Sequence, residues 1–229
     1  VEGVDYRFSY DATSAIIRLT PLAGIWETDH AYEITLQNVD TLVITARSGE
    51  MVADGDTFTI ADLEGGLATF EFESGYVIEV PAAGGTAIVD GSTFSISRTG
   101  TGGAITTTTF EFDRNSLFNT KNRVVKYTVA DEPDVIATAI AKAISSALLG
   151  LSPTVLEGGV VHVGGDTTIT LDTTNSALTQ SGTPGVATGN VPVSFVPHVS
   201  FTAEQMAVAM ATAINGAPLT GVSAQAREG

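Results

Sequence analysis

Five carboxylates are the first residues in this 229-residue chain whose types and spacing could do chemistry. Asp54, Asp56 and Asp62 surround one strand pair, and Glu71 and Glu73 lie on a common face of its second strand. Calcium takes its oxygens from close carboxylates and carbonyls, so the group is a candidate calcium site. The blander reading is a solvated acidic face, because the loop spacing of an EF-hand or a nonapeptide calcium repeat is absent. His30, His162 and His198 have no histidine or carboxylate at a familiar ligand spacing. With no cysteine, disulfides, thiol nucleophiles and cysteine-based zinc sites are excluded. No Gly-x-Ser-x-Gly elbow occurs, and the glycine-rich stretches lack the Lys-Ser/Thr of a phosphate-binding loop. Trp26, Tyr32 and Tyr76 are candidates for stacking on a sugar, with core packing as the simpler use. Lys121, Lys126 and Lys142 are the only lysines for an isopeptide link, and no buried acid is identifiable to promote one. On these residues the chain reads as a non-enzyme, with no certain cofactor beyond the calcium candidate.

The elements that must position these groups belong to a folded, acidic chain. Hydrophobic residues make up 43% of it, too many for a disordered tail. Its formal net charge of −16 would repel a phosphate backbone, so nucleic acid is a poor partner. The most apolar run, 135–151, is interrupted by Thr138, Lys142, Ser145 and Ser146 and is too short to span a bilayer. The chain opens Val1-Glu2-Gly3 without Met, and reads as an excised or processed fragment.

The pattern restarts along the chain. Asp54-Gly55-Asp56-Thr57-Phe58-Thr59-Ile60 returns as Asp90-Gly91-Ser92-Thr93-Phe94-Ser95-Ile96. Phe70-Glu71-Phe72-Glu73 returns as Phe110-Glu111-Phe112-Asp113, and Gly165-Asp166-Thr167-Thr168-Ile169 is a fainter third start. Polar and apolar residues alternate in each, the period of a half-buried strand. The Asp-Gly pairs and the glycine-rich connections, 63–67 and 99–103, are turn signals. The glutamates of Phe-Glu-Phe-Glu are expected on an exposed face, where they would discourage edge-to-edge pairing.

A second plan follows at 124–129, a strand with a helix behind it. Asp131 or Glu132 caps that helix, Pro133 sits in its first turn, and Ile136, Ile140, Ile144 and Leu148 recur at helical spacing. Strands at 153–156 and 160–163 come next. The plan replays from Val191-Pro192-Val193-Ser194-Phe195, with Thr202 and Gln205 as a capping box and Met206, Met210, Ala213 and Ile214 as the buried face. After it the sequence offers only 222–226 as a strand, so this copy reads as incomplete.

The first fifty residues differ. Strands are expected at 6–10, 15–20, 31–36 and 41–45. Tyr10-Asp11-Ala12-Thr13, Arg18-Leu19-Thr20-Pro21 and Tyr32-Glu33-Ile34-Thr35-Leu36 resemble the C-terminal half of a bacterial immunoglobulin-like domain of the S-layer and adhesin type. From Asp54 onward the modules resemble those of very large repeat proteins of aquatic bacteria. The fold expected is mainly β with two helices: an immunoglobulin-like β-sandwich portion plus β and β-α-β repeat modules. The divisions are 1–50, a partial immunoglobulin-like domain; 51–165, hairpin repeats with the first helix module; and 166–229, a second, incomplete β-α module. The resemblance implies an extracellular structural or adhesive segment of a large secreted or cell-surface bacterial protein, acting as spacer, stalk or filament subunit. Its expected partners are neighbouring modules or identical subunits, joined by strand addition. The alternative is a carbohydrate- or ligand-binding module of a secreted protein, with a surface glycan as partner.

Overall fold

The computed structural model describes the backbone of 6–11 and 16–21, and residues 42–227. The chain divides into two units, Val1–Val43 and Ile44–Gly229. In the first, β1 (Tyr6–Asp11) pairs antiparallel with β2 (Ile16–Pro21). Trp26, Tyr32, His30 and the strand expected at 31–36 lie outside the described residues.

The second unit is mainly β, with two helices among its described residues. Its strands are β3 (Thr57–Ala61), β4 (Leu67–Glu73), β5 (Tyr76–Glu79), β6 (Thr93–Thr99), β7 (Ile105–Asp113) and β8 (Arg123–Lys126). Helix α1 (Pro133–Ser146) follows, then β9 (Thr154–Leu156), β10 (Val160–Gly164), β11 (Ile169–Asp172), β12 (Thr179–Ser181), β13 (Val191–Ser194) and helix α2 (Ala203–Gly216). They form three sheets, ordered β12-β5-β10-β9, β11-β6-β7-β8 and β13-β4-β3. The two four-stranded sheets share one core with α1. Ile78 and Val161 come from one sheet, Phe94 and Phe112 from the other, and Ile136, Ile140 and Ile144 from the helix, each almost fully buried. The three-stranded sheet shares a smaller core with α2, through Phe70, Val193, Met206 and Met210.

Two repeats run through this unit, and one is inserted into the other. In the inner repeat β6, β7, β8 and α1 are consecutive. The β6–β7 hairpin is antiparallel, and β8 then lies parallel to β7, Phe112 opposite Val125. In the outer repeat the β3–β4 hairpin is interrupted after Glu73. Its parallel third strand is β13, Phe72 opposite Val193, and its helix is α2. The strand and helix that the sequence grouped with 166–229 therefore stand on a sheet begun at Thr57, and 74–190 lie between.

The ring packing shows how closely the two correspond. Phe58 stacks on Phe70 at 4.8 Å and Phe94 on Phe110 at 4.7 Å. Phe72 meets Phe195 edge-on at 6.0 Å, and Phe112 meets Tyr127 edge-on at 5.9 Å. Aromatic pairs at such distances add about 0.5–1.5 kcal/mol each beyond the area they bury. The Tyr127 hydroxyl also donates to the Ile88 carbonyl at 2.9 Å, and burial pushes its pKa up.

The helices match as closely. Both follow an extended cap residue, Glu132 or Thr202. Thr202 and Gln205 form the capping box expected from their spacing, satisfying amides that a helix start leaves unpaired. Val135 on α1 points out to solvent and Leu148, expected on the helix, lies exposed beyond its end, while the isoleucines fill the core.

Ahead of each hairpin runs a 3-10 turn, Gly49–Met51 or Gly84–Thr86. It is tied to the start of the helix, since the Gly49 amide donates to the Phe201 carbonyl and the Gly85 amide to the Asp131 carbonyl, both at 2.8 Å. The approach admits no side chain. A Cβ on Gly49 would stand 2.0 Å from the Val196 oxygen, and one on Gly85 2.0 Å from the Thr128 oxygen. Backbone must move to admit even a methyl group, an overpacking cost of about 3 kcal/mol. Gly49→Ala and Gly85→Ala should each lower the urea midpoint to that extent, whereas Gly102→Ala, where a Cβ meets nothing within 4 Å but φ is +90°, should cost less. Equal losses at all three positions would refute a steric origin.

Candidate functional site

The acidic groups sit where the turns and crossovers of the two repeats must be held. Glu71 projects from β4 and accepts from the Ala187 amide at 2.9 Å and from Asn190 Nδ2 at 2.5 Å, residues 116 and 119 positions away. Glu111 projects from the equivalent position of β7. It accepts from the Asn119 amide at 3.0 Å and from Asn122 Nδ2 at 2.7 Å. Each carboxylate thus fastens the loop that returns to start the parallel third strand. These loops cover the face on which the glutamates were expected to meet water. Glu111 is 8% exposed, Glu73 9% and Asp113 3%. Protection against edge pairing is not their role here, since β4 and β7 are interior strands.

The aspartates of the Asp-Gly turns close the same construction. Asp54 accepts from the Ser74 amide at 2.7 Å and from the Thr183 amide at 3.0 Å. Asp90 does so from the Arg114 amide at 2.9 Å and from Asn115 Nδ2. Asp56 accepts from the Ala53 amide at 3.0 Å, and Glu73 from the Gly185 amide at 3.3 Å. Asp62 holds the Gly66 amide at 2.6 Å, the Glu64 amide at 3.0 Å and, from beyond α2, the Thr220 amide at 2.9 Å. The five candidate ligands are thus spent on five different tasks. Among the described residues no three histidine, aspartate or glutamate side chains come together as a metal-binding group.

The other candidates among the described residues also have partners within the fold. His162 places Nε2 2.6 Å from the Ser74 carbonyl, and His198 reaches Ser200 Oγ at 2.8 Å and the Glu157 carbonyl at 3.2 Å. Tyr76 lies in the larger core, 8% exposed, and offers no open ring face to a sugar. An open polar groove of about 500 Å³ is lined by Thr107, Thr109, Lys121 and Arg123 among others. It has no acid–base pair or nucleophile with an activating partner. No helix among the described residues is long and apolar enough to cross a membrane. Comparison with protein-family models, with curated proteins and with solved structures gave no match.

Sequence reasoning missed the partners of these acids. Asn122, Asn190 and Arg98 were not singled out. Arg98 reaches from β6 to the Leu149 carbonyl at 2.5 Å and to Asp166 at 2.8 Å, so it joins the end of α1 to the turn before β11. A signal was present: Asn122 and Asn190 each immediately precede their third strand.

Removing a clamp exposes its importance. Glu111→Ala leaves the Asn119 amide and the Asn122 side chain without their acceptor in a covered position, a loss of about 2–3 kcal/mol. Urea denaturation should show that loss, and Glu111→Gln, which keeps one acceptor oxygen, should recover part of it. An unchanged midpoint in Glu111→Ala would show that the clamp is idle.

Several carboxylates are held below their usual pKa: Asp62 chiefly by the Thr220 amide, Asp166 and Asp172 by the Thr168 and Thr174 hydroxyls, Glu204 by the Thr202 hydroxyl. A carboxylate depressed in the folded state stabilises that state fully above its unfolded pKa. The contribution is lost as pH falls through the folded value. The melting temperature should therefore be level from about pH 7 to 5 and fall below about pH 4, the carboxylate range of the unfolded chain. A melting temperature unchanged down to pH 3 in a calorimeter would contradict these assignments.

Proposed function

We propose that the chain is a structural or adhesive repeat segment of a large bacterial surface protein, serving as spacer or stalk outside the cell. The observation that carries this reading is the insertion of one repeat into another with its interior packing kept. Rings, clamping glutamates and helix-start glycines recur position by position. The correspondence ends with the hairpin's first strand: β3 ends at Ala61 followed by Asp62, and β6 continues through Arg98. Repeated architecture suits a module whose task is to hold a shape. Its carboxylates serve as internal fasteners, and the excess of acid keeps a long array soluble.

Stalk modules carry load in series. Tension applied at the two ends reaches the outer repeat first, because 74–190 are enclosed between β4 and β13. Single-molecule extension should show two ruptures in fixed order, the outer repeat opening before the inner. One rupture, or the reverse order, would overturn the load-bearing reading. Antibody raised against the purified chain should label intact source cells. Labelling only after lysis would overturn the extracellular placement.

A further inference from the structure

Among the described residues the two repeats differ at one sheet edge: a strand flanks β6 and none flanks β3. In the inner repeat β11 lies antiparallel along the outer edge of β6, with Leu171 opposite Ile96 and Thr170 opposite Ser97. The Thr99 amide donates to the Thr168 carbonyl, and the Thr93 amide to that of Asn175. Along an antiparallel ladder bonding alternates, so the Ser95 and Ser97 amides face β11 as well. In the outer repeat β3 holds the place of β6, and among the described residues no strand lies beyond it. By the same alternation the amides of Thr57, Thr59 and Ala61 face outward.

Burial points the same way. Phe94 and Ile96 are 2% and 0% exposed, whereas their counterparts Phe58 and Ile60 are only half-buried. On α1, Ala137 and Ala141 are buried, and the helix packs on β9 and β10 as well as β8. Their counterparts on α2, Ala207 and Ala211, are half-buried. In the inner repeat the corresponding places are taken by β11 along the edge of β6 and by β9 and β10 against α1.

We propose that the outer edge of β3 is a docking site for an extended strand of the β11 class, delivered by another chain of this repeat type. Such a strand has two aliphatic residues two apart with threonine between them, as in Ile169-Thr170-Leu171, and ends in aspartate. Transferred from the inner repeat, its second aliphatic residue lies opposite Ile60 and its aspartate opposite Thr59. The second aliphatic residue closes over Ile60, and the first lies opposite Asp62. The backbone supplies affinity and the alternating side chains set the register. The inference rests on the reading of the chain as a repeat segment, since only a like repeat supplies such a strand.

The test titrates the full chain, labelled for NMR, with a synthetic peptide of residues 165–175. Hydrogen exchange at the Thr57, Thr59 and Ala61 amides should slow by about tenfold or more on pairing. A peptide N-methylated at Thr170 and Asp172, the residues whose amides face the host strand, should have no effect on the unaltered protein. The Thr59→Pro chain, which lacks one outward donor, should not respond to the original peptide. No slowing at β3 would overturn the proposal. So would slowing at Ser95 and Ser97 alone, since the peptide would then be replacing β11. A chain that dimerises through β3 without peptide would also overturn it, in favour of a second copy as occupant. Because binding is measured on purified protein, its failure is separable from a failure of surface labelling.

Discussion

In both repeats a parallel pair of strands is closed by a glutamate that holds the returning loop, Glu111 buried and Glu71 half-buried. Parallel neighbours ordinarily need a crossover of a dozen or more residues, because the chain must return to the starting edge. Here the return loops pass over the face of the sheet itself. The loop brings amide groups that no strand ladder pairs, and an acceptor beneath them fixes its path. Glu71 and Glu111 supply it from the strand beneath. With the loop fixed, the third strand starts in register, the edge-on ring behind it (Phe195 or Tyr127) meets its phenylalanine, and the helix that follows is delivered to the core.

The same arrangement explains how an insertion of this size is tolerated. Only the two ends of the return connection are specified, at the turn after β4 and at the Asn190 turn before β13. Between them the chain is free to do anything that brings its ends back. The inner repeat does so, with Asp54 marking the junction by holding Ser74 on the outgoing side and Thr183 on the returning side.

Much of this was legible from local pattern. The hairpins announced themselves through Phe-x-Phe alternation and Asp-Gly turns, and α2 through its cap and methionine spacing. Two strands escaped. Tyr76–Glu79 is a short apolar run without alternation, because it lies between two other strands over a shared core. Thr179–Ser181 is a polar edge that carries no burial signal at all. The partnership of β13 with β4 could not be read locally, because periodicity reports which face a residue occupies and not which distant strand lies beside it. The carboxylates were misread for a related reason. Alternation placed them correctly opposite the phenylalanines, but nothing in the spacing showed that a loop from far along the chain would lie over them.

Enclosure of one repeat by another also sets an order in time. During synthesis β3 and β4 emerge first, with neither their third strand nor their helix yet made. The inner repeat, by contrast, has its hairpin, parallel strand and helix in unbroken succession. It can reach its core while the outer hairpin still waits with apolar faces uncovered. The outer core closes only once Met206 and Met210 have appeared, so a pause in translation between the repeats would leave Phe70 and Phe72 available to chaperones and to neighbouring chains.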